Sequence, residues 1–171
     1  MKEYVKTILY VYPLLKTLEK EYQEHILNRA VLSYRINQSV EGEVEDLVQE
    51  IADKRNLAWL KTCVERVLAQ LSDEEKTLIA VRYFGKERKI KKATVAKSVT
   101  EKTRKCAMSE STYFRKQNRL IDKLGELLSA VGVDEKTFEG LFACMPLFQK
   151  VSALQVRRER KLSQNERHWF S

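Results

Sequence analysis

Glycine and proline are scarce in this chain, with 5 Gly and 2 Pro among 171 residues. A sheet-rich fold needs such residues at its turns and strand ends, so their scarcity argues for helices joined by short connections. Cysteine and histidine are equally sparse. Cys63, Cys106 and Cys144 are far apart and odd in number, which fits neither a disulfide framework nor a Cys-x-x-Cys metal site. They read as reduced thiols. His25 and His168 give a zinc site too few nitrogens unless carboxylates at unremarkable spacings join them, so no metal and no cofactor is expected. No apolar run approaches the roughly 20 residues of a membrane-spanning helix, and the segment after Met1 lacks a signal-peptide profile. The expectation is a soluble, cytoplasmic protein without a membrane partner.

The patterns of catalysis are missing too. There is no Gly-rich phosphate loop, no nucleophile elbow, and no His beside a Ser or Cys in a recognisable motif. The acidic group Glu41, Glu43, Glu45 and Asp46 has metal-binding chemistry, but near a helix start it is accounted for by compensation of the helix dipole. The expectation is a non-enzyme with no catalytic residue.

What is present is unevenly distributed charge. Residues 1–85 carry 12 Lys and Arg against 14 Asp and Glu, residues 86–119 carry 12 against 3, residues 120–149 carry 2 against 5, and residues 150–171 carry 6 against 2. One stretch of 34 residues thus holds more net positive charge than the whole chain, whose total is +8. Such a cluster points to a polyanionic partner, the alternative being a solvated basic loop.

The apolar spacing is helical throughout. Tyr4, Ile8, Val11, Leu15, Leu18, Tyr22 and Ile26 recur every three or four positions. Pro13 interrupts the stripe, so either one helix ends near Tyr10 to Tyr12 and a second begins there, or a single helix kinks. After a connection over Asn37 to Glu43, Val44, Leu47, Val48 and Ile51 share a face, and Leu60, Val64, Val67 and Leu68 continue an apolar side. This predicts an all-α fold that opens with a helical hairpin or arm over residues 1–70, held by packing within the chain or by a second copy.

Residues 71–130 carry the most local signal. Ser72 and Glu75 have the spacing of a capping box ahead of Leu78, Ile79, Val81 and Phe84, with Gly85 placed as a C-terminal cap. A second start, Ser109-Glu110-Ser111-Thr112, precedes an amphipathic basic helix. On it Tyr113 or Phe114, Leu120 or Ile121, Leu124 and Leu128 suit a core, while Ser111, Thr112, Arg115, Lys116, Gln117 and Arg119 are expected to project outward. Arg and Gln make paired hydrogen bonds to base edges in the major groove, and Ser, Thr and Lys hold phosphates.

The runs LSDEEKTLIAVRYFG and MSESTYFRKQNRLIDKLGELL resemble the helix-turn-helix of the fourth conserved region of bacterial sigma factors, and of small phage transcriptional regulators of the ArpU type. The likeness covers residues 71–128. It implies duplex DNA binding, with Ser109 capping the recognition helix, Ser111, Thr112, Arg115, Lys116 and Arg119 facing DNA, and Tyr113, Leu120 and Leu124 supporting it. The interval Lys86 to Met108 is longer than the family pattern. Thr94 to Val99 suits the supporting helix, which leaves Thr100 to Ala107 as an enlarged turn whose Lys102, Arg104 and Lys105 are further DNA candidates.

Residues 131–171 are expected to hold, after Gly132, a core-completing helix over Asp134 to Leu147 with Phe138, Leu141, Phe142, Met145 and Leu147, closed by Pro146, and then a basic tail. Together these features predict a sequence-specific, double-stranded DNA-binding transcription regulator, with RNA polymerase and a second copy as further candidate partners. The alternatives are a helical protein–protein adaptor and a mobile-element protein that binds duplex without regulating transcription.

Overall fold

The computed structural model describes residues 2–35, 40–84 and 110–155, with backbone alone at 33–35, 40–43 and 110. Among the described residues the chain is all-α, as expected, and contains no strand. Helix α1 spans Glu3–Val11, a 3-10 turn spans Tyr12–Leu14, and α2 spans Leu15–Arg35. Helix α3 covers Val40–Ala69 and α4 covers Asp73–Ile79, followed by a single π-helical turn at Ala80–Phe84. Helix α5 covers Glu110–Ala130, α6 covers Glu135–Leu141, and α7 covers residues 146–155.

Pro13 lies inside the 3-10 turn, which settles the two readings of the first stripe. A residue without an N–H fits the tighter turn between two α-helices better than the interior of one. Tyr4, Ile8, Val11 and Leu15 are buried, and Leu18, Tyr22 and Ile26 are half-buried. Helix α1 is enclosed on more than its stripe, since Val5, Leu9 and Thr7 are buried as well. Even Lys6 is buried along its stem, its ammonium 2.8 Å from Glu3. The helix is held by elements distant in the chain. The Tyr4 hydroxyl donates to the Gly125 carbonyl at 3.4 Å, and the Thr7 hydroxyl donates to the Gln155 amide oxygen at 2.9 Å. Gly125 has no side chain to meet the Lys2 stem, which passes where a Cβ would stand. One hydrophobic core therefore draws residues from 1–70, 71–130 and 131–155.

Helices α2 and α3 form the expected hairpin. Near the core it closes on Leu15, Leu57, Leu60 and Val64. Toward its far end the pairs between helices are polar: Glu19 with Lys61 at 3.9 Å, Gln23 with Lys54, His25 with Glu50 at 3.0 Å, and Arg29 with Glu50 at 3.2 Å and Asp46 at 3.7 Å. Partners descend along α3 as they ascend along α2, as antiparallel helices require. The apolar face read from Val44, Leu47, Val48 and Ile51 does not close this end. Val48 is 60% exposed, and Val44, Ile51, Leu27, Val31 and Leu32 are exposed with it. The reason is register: Leu47, Glu50 and Lys54 are half-buried positions on this part of α3, which puts Val44, Val48 and Ile51 elsewhere on the helix.

The capping box forms as read. Ser72 Oγ accepts from the Glu75 N–H at 3.3 Å, and Glu75 Oε2 accepts from the Ser72 N–H at 2.9 Å. Helix α5 ends in a Schellman motif: Gly132 adopts φ +90°, its N–H donates to the Ser129 carbonyl, and the Val133 N–H donates to the Leu128 carbonyl. Asp134 then caps α6 by accepting from the Thr137 N–H at 2.7 Å. Pro146 departs from its expected role. Instead of closing a helix it opens α7, where its fixed φ suits the first turn and no N–H is missed. Helix α7 brings in Phe148, 1% exposed and stacked near Phe138 and Phe142 with ring centroids 5.7 and 5.3 Å away.

Candidate nucleic-acid interface

Helix α5 is built on a buried stripe. Tyr113, Leu120, Ile121, Leu124 and Leu128 are all buried, so the support expected behind the helix is present. Gln117 belongs to this stripe and not to the outward face: it is 5% exposed. It sits four residues after Tyr113 and four before Ile121, and that helical register overrides its polarity. The outward positions are Ser111, Arg115, Asn118 and Arg119, followed one turn later by Asp122. Asn118 was not among the residues singled out from the sequence, although it stands three positions from Arg115 and its amide matches an adenine edge as well as a glutamine does. Thr112 and Lys116 lie at the border, half-buried.

Two ion pairs tie this border to α4. Lys116 Nζ lies 2.7 Å from Glu74 Oε1, and Lys123 Nζ lies 2.7 Å from Glu75 Oε1 and 3.0 Å from Oε2. The hydrogen bond from Lys123, with the Ser72 N–H, holds the Glu75 carboxyl below its ordinary value.

The start of α5 is fixed from the other side by the Arg82-Tyr83-Phe84 segment. The Arg82 guanidinium carbon lies 5.8 Å from the Tyr83 ring centroid and 5.9 Å from that of Phe114, within reach of a cation–π attraction. Tyr83 packs edge-on to Tyr10 at 4.8 Å, Phe84 meets Tyr12 at 5.2 Å, and Tyr113 meets Phe114 at 5.3 Å. Burial pushes the Tyr113 hydroxyl up, with Arg82 acting against the rise, and pushes Tyr83 up further. Burial of the Arg82 guanidinium works to lower its value, and the surrounding Tyr83, Tyr10 and Tyr113 hydroxyls more than offset this. The RYF run thus has a mechanical role: it clamps α1, the π turn and the first turn of α5 together.

The remaining candidates, Lys102, Arg104 and Lys105, lie outside the described residues, as do Gly85, the helix read at Thr94 to Val99, the Ser109 cap and the basic tail after residue 155. Among the described residues no group of three His, Cys, Asp or Glu side chains is arranged to hold a metal, and no helix is long and apolar enough to cross a membrane. Cys63 is buried, which raises its thiol, and Cys144 is exposed. Comparison with protein-family models, curated proteins and solved structures finds no match to this chain.

Proposed function

We propose that the protein is a sequence-specific, double-stranded DNA-binding transcription regulator that reads the major groove with the first half of α5. The observation that carries this is the division of that helix. Ser111, Arg115, Asn118 and Arg119 share its exposed side, while Tyr113, Gln117 and Leu120 anchor the reverse. Arg115 and Asn118 have side chains that pair with base edges, and Ser111, Thr112 and Lys116 suit phosphates. The basic stretch 86–119 supplies a long-range field for a polyanion, and Lys102, Arg104 and Lys105 would add phosphate contacts. The test is selection of bound fragments from a random duplex library at two salt concentrations, with R115A/K116A as control. An enriched motif lost in the variant supports the reading. Weak, unselective binding that disappears with salt overturns sequence specificity.

A second reading, a helical adaptor for a protein such as RNA polymerase or for another copy of the chain, rests on the exposed Leu27, Val31, Val44, Val48 and Ile51 at the far end of the hairpin. Under it R115A/K116A leaves partner binding intact, whereas V48E removes it.

A further inference from the structure

Two ion pairs of similar length join α4 to α5, and their surroundings differ. Glu75 is committed on two sides: it accepts from the Ser72 N–H in the capping box and from Lys123 through both carboxylate oxygens. Lys123 lies beyond the basic half of α5, next to Asp122. Glu74 instead reaches Lys116, flanked in sequence by Arg115 and two positions short of Asn118. Both partners of this pair are open to solvent, with 43% of the Lys116 and 48% of the Glu74 side chain exposed. A carboxylate is therefore held at the edge of the surface proposed to receive phosphates. An exposed pair of this kind is weak and exchanges readily, so a phosphate arriving at Lys116 competes with Glu74 for one ammonium.

We infer that Glu74 is a built-in competitor of the duplex: it occupies Lys116 in the free protein and is displaced when a duplex phosphate binds there. This deepens the DNA-binding reading and rests on it. The effect is to lower affinity for any polyanion whose phosphate must displace Glu74 to reach Lys116. A repulsive element thus offsets part of what the Lys116 contact gains. Glu75, by contrast, braces the α4–α5 junction and has no part in the competition.

The full chain and the variants E74Q, E75Q, K116A and E74Q/K116A are titrated against a random-sequence 20-base-pair duplex by fluorescence anisotropy at 50 and 200 mM salt. Circular dichroism and thermal melting establish that each variant is folded. E74Q is expected to bind about two- to fivefold tighter, the range set by a surface ion pair. Its logarithmic salt slope should steepen by up to about 0.9, the contribution of one neutralised phosphate. In the K116A background the E74Q gain should vanish, and E75Q should bind as the parent does while melting lower. Binding of E74Q equal to or weaker than the parent overturns the inference, as does a gain that survives K116A. If folded parent and E74Q both fail to bind duplex at 50 mM salt, the DNA-binding reading itself falls and takes the inference with it. That result is distinct from the first two, in which the parent binds.

Discussion

Gln117 and Asn118 are adjacent, similar in chemistry and opposite in fate. Gln117 is enclosed with Tyr113 and Leu120, and Asn118 shares the exposed side with Arg115 and Arg119. Replacing Gln117 by Ala should therefore lower stability by about 1–3 kcal/mol, as for loss of a buried polar side chain, and leave the salt dependence of duplex binding unchanged. Arg115→Ala should do the reverse, with the unfolding free energy from urea denaturation changed by less than about 0.5 kcal/mol and duplex binding weakened. Urea denaturation beside anisotropy separates the two. Glu75 adds a pH signature. Its carboxyl sits below the ordinary 4.5 chiefly through the Lys123 hydrogen bond, so its stabilising contribution is present above that value and is lost as pH falls through the lowered folded value. Between pH 7 and pH 3 the parent should lose more stability than E75Q, measured as the shift in urea midpoint.

Local chemistry decides how each helix begins and ends, and there the sequence was most legible. Ser72 and Glu75 announced the start of α4, and Ser72→Ala should cost about 1 kcal/mol in unfolding experiments. Gly132 at φ +90° is a position where a side chain is strained, so Gly132→Ala should cost roughly 1–2 kcal/mol. The register of the α1 stripe and the basic amphipathic pattern of α5 were equally plain, because both follow from spacing alone. Pro146 was not. The same residue closes one helix or opens the next, and only the burial of Phe148 beyond it, a long-range fact, selects the second. The π turn at Ala80–Phe84 was also silent, since the RYF run satisfies an ordinary helical period until the packing of Arg82 against Phe114 is known. The apolar face of Val44, Val48 and Ile51, open in the sequence to packing within the chain or on a second copy, lies exposed for a related reason. Periodicity finds an apolar stripe but does not say whether the neighbouring helix lies on it.

At the scale of the molecule, segments read separately share one core. The aromatic group of Phe138, Phe142 and Phe148 packs against Tyr4 of α1, with Tyr4 and Phe138 centroids 5.9 Å apart. Phe148→Ala should cost about 3–5 kcal/mol. Because that core also supports α5, the loss should appear as one cooperative transition and not as fraying of the last helix, seen as coincident circular dichroism and tyrosine fluorescence melts. The candidate surface was legible as a patch of basic and polar side chains on one helix. Which of them lies at the edge beside Glu74 depends on how α4 crosses α5, and no spacing within either helix encodes that.

The seat of α1 has a consequence for how the chain is made. Its contacts to Gly125 and Gln155 join positions 121 and 148 residues apart. At synthesis rates of 5–20 residues per second, α1 waits on the order of ten seconds before its partners leave the ribosome. Throughout that interval Val5, Ile8, Leu9 and Val11 lack the α5 and α7 side of their final enclosure. Of the described helices α1 is synthesised first and is among the last to be sealed, so slowing translation ahead of α7 prolongs the exposure of its apolar side chains.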